Sequence, residues 1–178
     1  MQTTYQMFME TVVPADELIV SRTDLSGKIT YANETFSKIS GYEMDELVGK
    51  SHSIVRHPDM PRSVFKELWE TLHKGAMWKG YVKNMRKDGG YYWVYAEVSG
   101  VYKQGELVEY KSLRTPIDQE TKAMMQALYD ERKKAEEKCV RVVTYLQSHL
   151  VEKIEKLALE EKRMGDDIIN ALLNDALL

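Results

Sequence analysis

The chain has 178 residues, of which 43% are hydrophobic and 30% are charged, and its net charge is −3. This balance is typical of one folded domain with an extension, and it argues against a disordered chain. Nucleic-acid binding needs clustered excess lysine and arginine, so no nucleic-acid partner is expected. Because no segment reaches the roughly 20 apolar residues that cross a bilayer, the sequence indicates a cytoplasmic protein without a membrane-inserted segment.

Strand and turn signals are concentrated in the middle of the chain and divide it into three parts. We expect an N-terminal segment at residues 1–15, a compact domain at residues 16–117 and a helical extension at residues 118–178. The N-terminal segment would act as a cap or as a partner contact. From Cys139 onward, apolar residues recur near the helical period, which predicts a helix with one face that needs a partner.

The compact domain is predicted to begin with a β-hairpin. Residues 18–23 and 28–31 have strand composition, and Gly27 lies in the short connection between them. Asn33 follows as the N-cap of a short helix, and Gly41 ends that helix.

A longer helix is predicted after Pro61, a residue that suits the first turn of a helix. Its apolar face consists of Val64, Phe65, Leu68, Trp69 and Leu72. Three strands follow at residues 77–86, 91–102 and 107–115. This order predicts an α+β domain that has a five-stranded antiparallel sheet with short helices on one side.

The strand at residues 77–86 has two chemically different faces. The face predicted to point inward holds Trp78, Gly80, Val82 and Asn84. Lysines mark the other face as the solvent side. An unpaired inward amide at Asn84 would cost about 1–3 kcal/mol, so a polar partner is expected. That partner is either backbone or water, or a heterocyclic ligand for which Gly80 leaves room.

The loop at residues 56–61 is a second candidate for ligand contact. Its two prolines restrict the backbone. Arg56 and His57 could bind an anion such as pyrophosphate, while Asp59 accepts hydrogen bonds from ribose hydroxyls. Two structural alternatives stay open, in which Asp59 caps the following helix or pairs with Arg56 at the surface.

Aromatic and histidine side chains allow further interpretations. Trp69 and Trp78 offer flat faces to a planar cofactor, with plain core packing as the alternative. His73 is expected to interact with the C-terminal dipole of the longer helix, and haem ligation by His73 or His57 is the sharper alternative. No nucleophile and base arrangement and no phosphate-binding glycine loop is found, so no enzyme is expected.

Taken together, these residues resemble the PAS domain of bacterial aerotaxis receptors over about residues 16–117. The resemblance is carried by the Val-Arg-His-Pro-Asp-Met-Pro run at residues 55–61, and by Trp78, Gly80, Val82-Lys83-Asn84 and Tyr92-Trp93-Val94. It implies a PAS fold, noncovalent binding of FAD and a sensor that reports redox state. The flavin-site candidates that it implies are Arg56, His57, Asp59, Trp78 and Asn84, followed by Asn33 and Arg114. Trp69 joins them for its flat aromatic face.

The sequence is also similar to the soluble PAS subunit of bipartite energy-taxis receptors. This likeness implies that the partner is the cytoplasmic region of a membrane-bound chemoreceptor, through which the protein could lie near the membrane. A homodimer or hetero-oligomer would form through helical segments. Photochemical adduct formation is not expected, because Cys139 lies outside the compact domain. The rival interpretations are a ligand-free PAS interaction module and a haem-based gas sensor.

Overall fold

The computed structural model describes residues 9–161, which form five strands, four α-helices and one short 3-10 helix. The strands are β1 Ile19–Thr23, β2 Ile29–Ala32, β3 Trp78–Met85, β4 Tyr91–Lys103 and β5 Glu106–Thr115. The α-helices are α1 Glu34–Ser40, α2 Met44–Leu47, α3 Arg62–His73 and α4 Gln119–Glu161, and the 3-10 helix is His52–Val55. Within this range, no helix is both long and apolar enough to cross a membrane.

The five strands form one antiparallel sheet in the order β2-β1-β5-β4-β3. Three hairpins connect neighbouring strands, and the chain crosses from the edge strand β2 to the opposite edge strand β3 through α1, α2 and α3. The predicted α+β fold with a five-stranded antiparallel sheet is therefore confirmed.

Local interactions explain why the first elements form where the sequence predicts them. In the β1–β2 hairpin, the Asp24 carboxylate accepts hydrogen bonds from the backbone N–H groups of Ser26 and Lys28, both at 2.9 Å. Gly27 follows with a φ of 81°, which favours glycine. The predicted N-cap is confirmed, since Asn33 Oδ1 accepts from the Phe36 N–H at 3.1 Å.

The hydrophobic core lies between the helices and the inner face of the sheet. Its fully buried apolar side chains include Ile19, Ile29, Phe36, Leu47, Val55 and Val94. Burial of each such side chain contributes about 1.5–3 kcal/mol relative to an exposed position. A cavity remains between the inner face of the sheet and α3.

The chain divides into two compact units after Lys133, so α4 begins in the first unit. In that unit, the first turns of α4 cover the outer face of β3. The Tyr129 hydroxyl donates to the Tyr81 carbonyl at 2.7 Å, and Lys83 Nζ donates to Gln126 Oε1 at 3.1 Å. The second unit is helical as far as Glu161, as expected for the extension, and the end of that predicted helix lies outside the described residues.

The prediction that lysines mark the solvent side of β3 is wrong at Lys83. This side chain is only 8% exposed, because α4 covers it and the Asp59 carboxylate binds its ammonium group at 2.7 Å. Lys79, four residues earlier on the same face, is exposed as predicted. A lysine pattern could not show that a helix more than 35 residues downstream supplies the cover.

The N-terminal segment contacts the same side of the domain. Thr11 donates its backbone N–H to the Tyr91 carbonyl at 2.8 Å, and Val13 is buried. Glu10 Oε1 lies 2.6 Å from Lys122 Nζ near the start of α4. Residues 9–13 therefore pack on the compact domain. Residues 1–8, the remainder of the predicted segment, lie outside the described part of the chain.

Candidate ligand-binding cavity

A cavity of about 440 Å³ lies between the inner face of the sheet and α3. Its apolar wall is built from Phe65, Leu68, Trp69, Leu72, Trp78, Val82, Ala96 and Val98. Most of the apolar face predicted for α3 therefore lines this space. The volume falls in the range of about 300–1,000 Å³ that is usual for small-molecule sites, and the mostly apolar lining is also typical of them.

Two tryptophans contribute flat surfaces to the cavity. Trp78 is 4% exposed, and Trp69 makes an edge-to-face contact with Tyr110 at 5.6 Å between ring centroids. Gly80 has a different role from the one predicted. A Cβ atom at this position would lie 2.4 Å from the indole ring of Trp78, so the glycine makes room for that ring rather than for a ligand.

A cluster of buried polar side chains occupies the end of the cavity beside β1 and β5. Arg114 Nη2 lies 2.9 Å from Ser21 Oγ and 2.6 Å from His52 Nε2. The guanidinium group also lies over the Phe36 ring, at 5.1 Å from its centroid. Burial lowers the pKa of Arg114 to about 10, so the group stays charged at neutral pH.

Four buried polar atoms on residues that line the cavity have no hydrogen-bond partner within the described part of the chain. They are Trp78 Nε1, Asn84 Nδ2, Ser112 Oγ and Arg114 Nη1. Each such group costs about 1–3 kcal/mol when it stays unpaired, and native proteins tolerate few of them. All four can donate a hydrogen bond. The cavity therefore suits a molecule whose edge carries acceptors.

The charge of the cavity supports the same conclusion. Its charged lining residues are Arg56, Lys111 and Arg114, and none of the described residues that line it is acidic. Arg56 packs its guanidinium carbon 3.9 Å from the centroid of the Phe65 ring. Its backbone forms a bridge with that of Asn84 on the neighbouring strand. An anionic or acceptor-rich ligand would thus meet favourable charge at both ends.

Residues of the loop at 56–61 lie on both faces of the sheet. Only Arg56 lines the cavity; His57 and Asp59 are absent from its lining. Asp59 Oδ2 binds Lys83 Nζ at 2.7 Å, and the backbone N–H of Asp59 donates to His57 Nδ1 at 3.1 Å. The structure therefore does not bring His57 and Asp59 to the same cavity as Asn84. Asp59 pairs with Lys83, and the N-cap position of α3 is held by Pro61, which makes no side-chain cap hydrogen bond.

The surroundings of His57 and Asp59 change the pKa of both side chains. Burial lowers the pKa of His57, and the nearby Lys83 charge acts in the same direction. For Asp59, burial acts to raise the pKa, but the hydrogen bond and charge of Lys83 outweigh it, and the pKa is lowered. A neutral His57 and a charged Asp59 are the forms that this arrangement favours.

Two other residues considered from the sequence, Asn33 and His73, contact neighbouring parts of the fold. Asn33 uses its whole side chain within the fold: Oδ1 accepts from Val20 as well as from Phe36, and Nδ2 donates to the Leu18 carbonyl at 2.7 Å. His73 is the last residue of α3, with its ring 6.1 Å from that of Trp69. Neither residue lines the cavity. Within the described residues, no group of three or more histidine, cysteine or acidic side chains could hold a metal ion.

Sequence reasoning missed Ser21, His52 and Ser112 in the cavity lining. Ser21 and Ser112 could in principle have been predicted, because each alternates with another buried residue on its strand, Ile19 and Tyr110 respectively. His52 gave no such signal. Its position in a single-turn 3-10 helix shortly after Gly49 has no periodicity that points to a face.

The fold agrees with comparisons to known proteins. Residues 29–114 match the family described as the PAS fold. The compact part of this chain is a PAS domain, which confirms the expected family.

Among the relatives, the aerotaxis receptor of Escherichia coli strain K12 is 43% identical over 125 residues, which cover 70% of this chain and 25% of the receptor. The nitrogen fixation regulatory protein of Klebsiella pneumoniae is 32% identical over 108 residues, which cover 60% of this chain and 22% of the relative. The chain thus spans about a quarter of the length of these relatives. The light-state structure of the blue-light photoreceptor Aureochrome1 LOV aligns with a TM-score of 0.55 at 22% identity, over 60% of this chain and 86% of that one.

Proposed function

We propose that this protein is a redox sensor that binds FAD noncovalently in the cavity and relays the redox state of the flavin to a chemoreceptor-type transducer. The observation that carries this proposal is the set of four unpaired buried polar groups beside two tryptophans in one cavity. A flavin has the matching shape, because a planar apolar ring system ends in an edge of carbonyl and nitrogen groups. Similarity to an aerotaxis receptor supports the same ligand.

Different residues of the cavity would bind different parts of the flavin. Trp78, Trp69 and the apolar residues of α3 would enclose the ring system. Asn84 and Arg114 would donate to its polar edge, where each now has an unpaired N–H group. Arg56 would bind the phosphate groups, since it is the basic lining residue beside Asn84. His57 and Asp59 would stabilise the conformation of the loop at residues 56–61, and Asn33 would cap α1. None of these three side chains would contact the flavin.

A bound flavin would supply a redox centre whose ring differs in charge and protonation between its oxidised and reduced forms. The sheet offers a route by which such a difference reaches the outer face. Consecutive residues of a strand point to opposite faces. Asn84 lines the cavity, while the preceding Lys83 binds Asp59 and Gln126 of α4 on the other side. Movement of Asn84 would therefore change the support of α4.

The output would depend on how the two states of the domain contact a partner. A ligand shifts an equilibrium only as far as its interaction energies with the two states differ. The outer face and α4 are the surfaces that the cavity would influence through Lys83. We infer that the cytoplasmic region of a membrane-bound chemoreceptor binds there, and that helical segments form a homodimer or a hetero-oligomer.

The proposal predicts the spectrum of the purified full chain. Oxidised flavin bands should be present, and acid should release FAD. Recovery of FMN alone would contradict the FAD assignment. A haem spectrum would favour the gas sensor, and the absence of both chromophores after reconstitution with FAD would favour the ligand-free interaction module.

Arg56→Gln tests the phosphate contact. Loss of this charge should weaken FAD binding by about tenfold, because hydrogen bonds to charged groups are among the strong ones. Binding of riboflavin, which has no phosphate, should stay unchanged. Arg22→Gln is the matched control, since Arg22 is exposed on β1 away from the cavity lining. Equal losses for FAD and riboflavin would contradict the role assigned to Arg56.

A further inference from the structure

The half-buried histidine beside Arg114, His52, has no role in the account given so far. His52 Nε2 lies 2.6 Å from Arg114 Nη2 and 3.2 Å from Ser21 Oγ. Its ring stacks on Phe36, with 5.6 Å between the ring centroids and 16° between the ring planes. Stacking and hydrogen bonding together fix both the plane of the imidazole and the direction of Nε2.

The chemistry of arginine determines which nitrogen of His52 carries the proton. A guanidinium group has donors only, so Nε2 must be the acceptor in this contact. A neutral imidazole then carries its proton on Nδ1. The ring stays neutral because burial, followed by the charge of Arg114, lowers the pKa of His52 to about 3. His52 thus offers the guanidinium group a permanent acceptor.

The two nitrogens at the end of Arg114 are left in opposite situations. Nη2 has two N–H bonds, and its two acceptors are Ser21 Oγ and His52 Nε2. Nη1 is buried and has no partner among the described residues. Since the guanidinium group is planar, holding Nη2 in two places also fixes where Nη1 can point.

We propose that His52 is a positioning residue of the ligand site, which together with Ser21 anchors one nitrogen of Arg114 so that the other donates to an acceptor on the polar edge of the flavin. This inference rests on the proposed flavin site. It gives the site a fixed donor that needs no rearrangement when the ligand binds.

Two substitutions of His52 separate the acceptor from the bulk of the ring. His52→Leu removes the acceptor, and we expect FAD affinity to fall about tenfold because Arg114 loses its anchor. The midpoint potential of the bound flavin should also fall, since a positive charge held close to the ring favours the reduced form. His52→Gln keeps an acceptor and should recover most of the affinity and the potential. Equal defects in both variants would overturn the proposal.

A double-mutant cycle tests whether His52 acts through Arg114. In an Arg114→Gln background, His52→Leu should cause little further loss of FAD affinity, because the group that it positions has already been removed. Losses that add fully would show that His52 acts independently of Arg114 and would overturn the positioning role.

The tautomer of His52 can be measured in the unmodified full chain without any flavin. Nitrogen-15 NMR of the imidazole at neutral pH should show a neutral ring with its proton on Nδ1. A proton on Nε2, or a doubly protonated ring, would overturn the contact on which the inference depends. Failure of the unmodified protein to bind FAD would instead overturn the proposed function, even with the expected tautomer. FAD binding of unchanged affinity and potential in His52→Leu would overturn the positioning role alone.

Discussion

The two faces of the sheet differ in whether their buried polar groups have partners within the chain. On the outer face, Lys83 binds Asp59 and Gln126, and Lys122 lies 2.6 Å from Glu10. On the inner face, Asn84 and Arg114 each keep a buried N–H group that the described part of the chain does not satisfy. Interactions within the chain therefore complete the outer face, whereas the inner face is prepared for a molecule that the chain does not supply.

This difference separates structural from ligand-binding polar residues more clearly than residue type does. Lys83 and Asn84 are adjacent on β3, and both are polar and nearly inaccessible to solvent. The protein satisfies the ammonium group of Lys83 with a carboxylate, while the amide nitrogen of Asn84 faces the cavity without a partner. Substitutions on the two faces should accordingly change different properties of the protein.

The largest effect is expected for Asn84→Leu in the presence of FAD. FAD at 100 times its Kd should raise the free energy of unfolding of the unmodified protein by about 2.7 kcal/mol, and the variant should lose most of this gain. Without FAD, the variant should be at least as stable as the unmodified protein, because an apolar side chain replaces an unsatisfied amide. Chemical unfolding with and without FAD measures both values. A ligand-free variant that is strongly destabilised would show that Asn84 is a structural residue.

Gly80→Ala should disturb the inner face next. The added methyl group would lie 2.4 Å from the Trp78 ring and would force the indole to move into the cavity. We expect a loss of about 1–3 kcal/mol in unfolding free energy, typical of overpacking, together with weaker FAD binding. Thermal unfolding and FAD titration measure the two effects. Lys79→Ala on the exposed side of the same strand should change stability by less than about 0.5 kcal/mol and leave binding intact.

Asp59→Asn should affect the outer face and spare the cavity. Loss of the carboxylate leaves the nearly buried Lys83 without its ion-pair partner. The cost should be about 1 kcal/mol, below the usual cost for a fully buried pair, because 40% of the Asp59 side chain is exposed to solvent. FAD affinity, measured by fluorescence titration, should change less than twofold, within about 0.4 kcal/mol. Complete loss of FAD would place Asp59 in the ligand site after all.

Acid should produce the smallest of these effects. The folded state lowers the pKa of Asp59, so its contribution to stability is present above the unfolded pKa and is lost as the pH falls through the folded one. Below about pH 4, the unmodified protein should therefore lose stability more steeply than Asp59→Asn. Urea unfolding across this range measures the difference between the two slopes. Parallel slopes would contradict the lowered pKa.

Periodicity and turn chemistry predicted the elements of the fold, because those signals are local. The helix that Asn33 caps and the inward side of β3 with Asn84 follow from neighbours in sequence. The cover over Lys83 does not, since α4 and the loop at residues 56–61 meet there from distant parts of the chain. The same is true of His57 and Asp59, which share a short loop with Arg56 but contact the opposite face.

The details of the cavity could not be predicted from the sequence, because they depend on packing at atomic distances. Gly80 in a strand indicated room for a ligand, whereas the structure places the Trp78 ring in that space. His52 reaches Arg114 across 62 positions of the chain, and neither residue alone indicates the pair. The family resemblance supplied the ligand class, while the unpaired donors come from the geometry.

The side-chain N–H resonances of the protein test the central claim most directly. Trp78 Nε1 and Asn84 Nδ2 are unpaired in the cavity, whereas Trp93 stacks on Tyr129 at 6.1 Å between ring centroids on the outer face. On addition of FAD to ligand-free full chain, the Trp78 indole and Asn84 amide signals should shift strongly, and the Trp93 indole signal should move little. Unchanged Trp78 and Asn84 signals under saturating FAD, or a larger shift at Trp93, would contradict a flavin site on the inner face.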